Sequence, residues 1–144
     1  REGNILWQKK IDEYVVHQGY GSSPALYGPL VLVTADTKAG GAIAALDRQT
    51  GKLAWKHARP KTPNYPSPII LRAAGRDQLV LAGCDRIVSF EPLSGKSLWD
   101  IEGATTECVA TIVTDGIRVF SRFACSTMIF APSCGHRATF SGTT

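Results

Sequence analysis

Three tryptophans stand at positions 7, 55 and 99, and each follows a glycine by four residues, in the phrases GNILW, GKLAW and GKSLW. The intervals between them are 48 and 44 residues. The longer phrases around the last two, ALDRQTGKLAW (45–55) and SFEPLSGKSLW (89–99), keep the same cadence. A Ser-Pro pair recurs at Ser23-Pro24 and Ser67-Pro68, again 44 residues apart. One period further stands Thr111-Ile112, in the loosely similar TECVATIVTDGIRVF. A chain that repeats itself on this period is built from small units that bury their apolar surface by stacking on their neighbours.

Each unit divides into short apolar runs separated by turn-formers. In the first these are PALY (24–27), LVLV (30–33), AIAAL (42–46) and LAWKH (53–57), interrupted at Gly28-Pro29, around Gly40-Gly41 and at Gln49-Thr50-Gly51. In the second they are PIIL (68–71), QLVLA (78–82), RIVSF (86–90) and SLWDI (97–101). Nowhere does an i, i+3, i+4, i+7 apolar stripe persist for three turns, so helices are not expected. Fourteen Gly and eight Pro among 144 residues agree with many tight turns. Four short strands in about 44 residues are the allotment of one propeller blade.

The recurring phrase has a physical logic. Asp47 is placed to accept hydrogen bonds from backbone N–H groups two or three residues on, which stabilises a tight reversal. Gly51 and Gly95 supply the positive φ such a turn needs. The strand then restarts and delivers Trp55 or Trp99 at a fixed offset. An indole buries about 150–250 Å² and wants a partner for its N–H, so Trp7, Trp55 and Trp99 are read as docks between neighbouring sheets. An ordinary core tryptophan within one sheet and a ligand-stacking ring are the competing readings.

Charge and reactive residues narrow the function. The net charge is +4 and the pI about 9.0, but Lys9, Lys38, Arg48, Lys52, Lys61, Arg76, Arg86 and Lys96 are dispersed over expected turns. No basic stripe interleaved with aromatics is present, and a solvated surface is expected, without nucleic acid. No apolar run approaches the ~18 residues of a membrane helix. Cys84, Cys108, Cys125 and Cys134 form no C-x-x-C pair, which removes support for zinc ribbons and thioredoxin-like chemistry. Paired cysteines of an exported protein and small apolar residues of a cytosolic one both fit that spacing. His17, His57 and His136 are isolated, and His57, two residues beyond Trp55, belongs on the same strand face. Trp99-Asp100 lacks the Gly-His that precedes it in WD40 blades, and Gly95-Lys96-Ser97 lacks the earlier glycine of a P-loop. No nucleophile-elbow context accompanies any serine.

The pattern A-x-D-x-x-T-G-K-x-x-W from Ala45 to Trp55 resembles the docking motif of the quinoprotein-type, or PQQ-like, β-propeller repeat. The second copy carries Ser89, Glu91 and Ser94 in place of Ala, Asp and Thr, and the first copy keeps only its end, with Asn4 for Lys. The resemblance covers residues 3 to about 120 and implies an all-β fold. Quinoprotein dehydrogenases of this type hold pyrroloquinoline quinone and Ca²⁺ in a central funnel, with a carboxylate base, calcium ligands and adjacent cysteines. This chain has no Cys-Cys pair and no clustered Asp/Glu/Asn set to map onto those roles. Other relatives are non-catalytic, among them the lipoprotein of the outer-membrane β-barrel assembly machinery.

The expected architecture is a propeller segment. Residues 1–20 are the closing strand of a preceding blade with its connector, 21–62 and 63–104 are blades, 105–120 start a third, and 121–144 form a divergent tail. Two units cannot close a ring of four to eight blades, so the chain, which begins with Arg1, is expected to be a fragment of a longer protein. The tail lacks Asp and Glu, and Gly142-Thr143 stands where another tryptophan is due. A frameshifted tail and a genuine Ser/Thr-rich extension are the two readings. The expected function is binding or scaffolding, with a protein partner or the remaining blades, no evident cofactor or metal, and a periplasmic or other extracytoplasmic location implied by the resemblance. Loops 36–41, 60–67 and 103–107 are the expected partner surface. The alternatives are a piece of a PQQ/Ca²⁺-dependent dehydrogenase and a sensor domain of a multidomain protein.

Overall fold

The computed structural model describes residues 2–130 apart from positions 16, 105, 117, 124 and 125, with side chains as far as Ser121. Residues 131–144, and with them most of the tail reading, lie outside the described residues. Strands β1 (Ala25–Tyr27), β2 (Leu30–Thr34), β3 (Ala42–Asp47) and β4 (Leu53–Ala58) pair in sequence order as an antiparallel sheet. Strands β5 (Ile69–Ala73), β6 (Arg76–Gly83), β7 (Arg86–Phe90) and β8 (Ser97–Glu102) repeat the arrangement. In a third sheet, β9 (Val113–Thr114), β10 (Val119–Phe123) and β11 (Ser126–Phe130) lie with β10 central. No helix occurs among the described residues. Residues 2–15 and 17–24 form no strand; a strand exists only by pairing, and no neighbouring ladder is offered to this segment.

Strand β6 shows how the sheets stack. Side chains alternate across a sheet, and Leu79 and Leu81 enter a core cluster with Leu30, Leu32, Ile43 and Ala45 of the first sheet. Val80 and Ala82 enter a second cluster with Ile87, Cys108, Ile112 and Val119. Both faces are thus covered, so QLVLA reads as a continuous apolar run instead of an alternating one. Each fully buried aliphatic side chain contributes about 1.5–3 kcal/mol. Strands β4 and β8 stand at the outer edge, with mostly exposed or half-buried side chains.

A bulge recurs at the same place in both four-stranded sheets. Ala45 pairs with Trp55 but Leu46 with Leu53, leaving Ala54 extra. Ser89 pairs with Trp99 but Phe90 with Ser97, leaving Leu98 extra. One extra residue resets which face the following side chain takes, and the tryptophan is that residue.

The sheets have two distinct ends. The turns at 28–29, 48–52, 74–75 and 91–96 lie at one. The segments 35–41, 59–68, 84–85 and 103–112 lie at the other, which follows from the up-and-down order of the strands.

Candidate functional site

At the turn end, two docks repeat, their turns offset by 44 residues and their tryptophans by 48. Asp47 Oδ1 accepts from Gln49 N (3.0 Å), Thr50 N (2.8 Å) and Thr50 Oγ1 (2.8 Å). Glu91 does the same with its longer arm, taking Leu93 N at 3.2 Å and Ser94 N at 2.6 Å. The bonds to Thr50 and Ser94 hold both carboxyls below the ordinary carboxylate range. Gly51 at φ +69° and Gly95 at φ +72° close the two turns. A Cβ on Gly51 would stand 2.7 Å from Trp7 Cδ2, and one on Gly95 2.6 Å from Trp55 Cδ2. The glycines are therefore required twice, by the backbone and by the ring lying on them.

The indole nitrogens complete the pattern. Trp7 Nε1 donates to Arg48 O and Trp55 Nε1 to Pro92 O, both at 3.0 Å. Trp55 thus leaves the first sheet to lie on the second. His57 joins it, donating from Nε2 to Gly95 O at 2.6 Å and stacking on Phe90 with ring centroids 5.0 Å apart. Trp99 differs. Its Nε1 donates to Gln78 Oε1 of its own sheet at 2.7 Å, while Gln78 also accepts from Ser89 Oγ and donates to Ala73 O. Asp47, Gly51, Gly95, Trp7 and Trp55 are brought together in two consecutive docks, and Trp99 lies among the residues packed on the second core cluster.

The segment before the first sheet runs along it from one end to the other. Trp7 sits on the 48–51 turn, Lys56 Nζ donates to Ile11 O at 2.7 Å and pairs with Asp12 at 3.4 Å, and Thr37 Oγ1 donates to Glu13 O at 3.2 Å.

At the connector end, polar groups, some of them buried, tie the loops together within and between units. Arg59 at the end of β4 holds Asp36 with Nε at 2.9 and 3.0 Å and Nη2 at 2.9 Å. Their side chains are only 6% and 2% exposed. Desolvation pushes the Asp36 carboxyl up against the opposing pull of Arg59. Removing one partner of such a pair costs about 3–5 kcal/mol, because the other charge stays buried. Ser23 N donates to Ser67 Oγ (2.8 Å) and Ser67 N to Thr111 Oγ1 (3.4 Å), a ladder on the repeat period. Tyr65 N donates to Cys108 O at 3.0 Å. Asn64 Oδ1 accepts from Cys84 N at 3.3 Å and Cys108 N at 3.0 Å. His17 lies 4.0 Å from Glu107, bringing the first connector to the third. Segments 36–41, 60–67 and 103–107 therefore share one end. Around them Tyr14, Val15, Tyr20 and Val109 are exposed, with Tyr14 and Tyr20 edge-to-face at 6.3 Å.

A profile of the family described as outer membrane protein assembly factor BamB, of the PQQ-like repeat type, matches residues 1–121. The chain belongs to this family. Among solved structures it is similar to BamB from Moraxella catarrhalis, with 17% identity and a TM-score of 0.57, over 75% of this chain and 32% of that one. A europium-containing methanol dehydrogenase matches with 17% identity and a TM-score of 0.49, over 82% of this chain and 24% of that one. The chain spans about a third of the first neighbour's length and a quarter of the second's. A search of curated proteins returns no match.

The sheets are thus blades of a PQQ-like β-propeller, and the all-β reading holds. What the sequence did not reveal is the polar stitching between blades. Asp36, Arg59 and Cys84 carry no spacing signal, whereas Asn64 and Cys108 lie 44 residues apart, on the repeat period. The Ser23/Ser67/Thr111 ladder follows the same step, and its period was read from the sequence beforehand. Among the described residues, no group of three His, Cys, Asp or Glu converges as metal ligands, and no helix is long and apolar enough to cross a membrane.

Proposed function

We propose that this chain is a binding or scaffolding segment of a PQQ-like propeller, non-catalytic in itself, exported to the periplasm or another extracytoplasmic space. Its partner is a protein that docks on the connector end. The observation supporting this is the exposed apolar set of Tyr14, Val15, Tyr20 and Val109 beside connectors tied down by buried polar contacts of Asn64 and of Arg59 with Asp36. A rigid surface with exposed aromatic and aliphatic groups loses little conformational freedom on binding. The likeness to a protein named as an assembly factor agrees with a role in protein association.

Photo-crosslinking in the cell, from the full-length protein, tests the reading. A photoreactive residue at Tyr20 or Val109 is expected to trap a discrete protein adduct, and one at Leu93, exposed at the opposite end, is not. Equal trapping from both ends, or none, rejects this surface. A bound quinone chromophore with Ca²⁺-dependent, dye-coupled oxidation of alcohols or sugars replaces the reading by the dehydrogenase alternative.

A further inference from the structure

Cys84 and Cys108 are 24 residues apart in sequence but are held at one point by a third residue. Asn64, itself buried, offers a single oxygen, Oδ1, to both of their backbone amides, at 3.3 and 3.0 Å. Two donors on one acceptor keep their nitrogens no more than about 6 Å apart, which makes the two cysteines neighbours. Bonding further requires their Cα atoms to lie within roughly 4.4–6.8 Å of each other. The surrounding chain holds this approach. Gly103 N and Ala104 N both donate to Asp85 O, at 3.0 and 3.2 Å, strapping the third connector to the residue beside Cys84. Tyr65 N donates to Cys108 O at 3.0 Å.

A second observation concerns the turn itself. Cys84 and Asp85 form the two-residue loop between β6 and β7 with φ of 58° and 63°. Positions of this kind favour Gly, Asn and Asp. Asp85 fits that preference and a cysteine does not. An unfavoured residue held in a sparsely populated conformation is grounds for assigning it a role.

We propose that Cys84 and Cys108 are the two halves of an inter-blade disulfide, whose reduced form is the one seen here, joining the β6–β7 turn to the connector that leads into the third sheet. The partner reagent is a small-molecule disulfide such as oxidised glutathione. The thiolate of one cysteine attacks a sulfur of that disulfide, forming a mixed disulfide and expelling one small thiolate. The second cysteine's thiolate attacks the protein-side sulfur, the Cys84–Cys108 bond forms, and the second small thiolate leaves. Two protein sulfurs are oxidised, the small disulfide is reduced to two thiols, and these take up the two protons. In the reduced form, Cys84 Sγ accepts from Asn64 Nδ2 at 2.9 Å and Arg59 Nη2 at 3.6 Å, and Cys108 Sγ lies 3.6 Å from Ala110 O. Both side chains turn from these partners to bond. Burial pushes the Cys84 thiol up to about 11, which disfavours thiolate in the folded blade. Both cysteines are also buried in the folded chain, so exchange with a small disulfide is expected while the chain folds.

The test is refolding of the full chain from denaturant in a mixture of oxidised and reduced glutathione, followed by alkylation, non-reducing trypsin digestion and mass spectrometry. Trypsin separates Cys84 (peptide 77–86), Cys108 (peptide 97–118) and the pair Cys125 and Cys134 (peptide 123–137). The expected product is peptide 77–86 joined to 97–118, lighter than the sum of the two reduced peptides by two hydrogens. It is expected in monomeric protein and persists in the variant Cys125→Ser/Cys134→Ser. Alkylated Cys84 and Cys108 in separate peptides, or either one joined to peptide 123–137, overturns the proposal.

Discussion

The two docking glycines are separable from other turn glycines by what faces them. Gly95 has positive φ and Trp55 on top of it, whereas Gly75 has φ +76° and no heavy atom within 4 Å of a built Cβ. Gly75→Ala is therefore expected to cost about 1 kcal/mol of backbone strain. Gly95→Ala is expected to cost about 2–4 kcal/mol, because the ring must move as well; urea denaturation of the two variants reads the difference. The turn carboxylates add a pH signature. Asp47 and Glu91 lie below their ordinary values of 3.8 and 4.5 when folded. Their contribution is complete above those unfolded values and is lost as pH falls through the lower folded ones. Asp47→Asn/Glu91→Gln should flatten the decline of Tm between pH 5 and pH 2, and an unchanged slope would place the acid sensitivity elsewhere.

At the scale of the strand, the repeated bulge explains why glycine and tryptophan stand four apart. Without Ala54 and Leu98 the register would continue unshifted, and the indole would take the opposite face. Trp55 is half-buried, so Trp55→Ala is expected to cost about 2–3 kcal/mol, below the figure for a fully enclosed indole. The loss belongs to the neighbouring sheet as much as to its own. Amides of the 91–96 turn should show faster hydrogen exchange in this variant, and exchange confined to β4 would mean that the ring acts only within its own sheet. The strands themselves were legible from apolar runs and turn-formers, almost to the residue, because local sterics and burial agree at those positions. The bulge was not, since an extra residue in a ladder is defined only by its partner strand.

Across the whole molecule, β6 supplies alternate side chains to two cores, so the first two blades share their stability. Leu79 is fully buried in the cluster between them. Leu79→Ala should cost about 2–5 kcal/mol and lower protection in β2 and β3 as well as in β6 and β7. Hydrogen exchange followed by mass spectrometry checks this, and loss limited to the second blade would show that the blades unfold separately.

The repeat period and the turn chemistry around Asp47, Gly51 and Gly95 were determined by the sequence alone. They depend on interactions between residues close along the chain, and the same phrase meets the same local demands each time. Which atoms the indoles bond, the burial of the Asp36–Arg59 pair and the meeting of Cys84 with Cys108 at Asn64 were decided only by tertiary structure. The Trp7 and Trp55 bonds and the Cys84–Cys108 meeting join residues from different units, and the Asp36–Arg59 pair joins the β2–β3 loop to the end of β4 within the first blade. Their geometry follows from how strands and sheets pack, a quantity no single segment encodes.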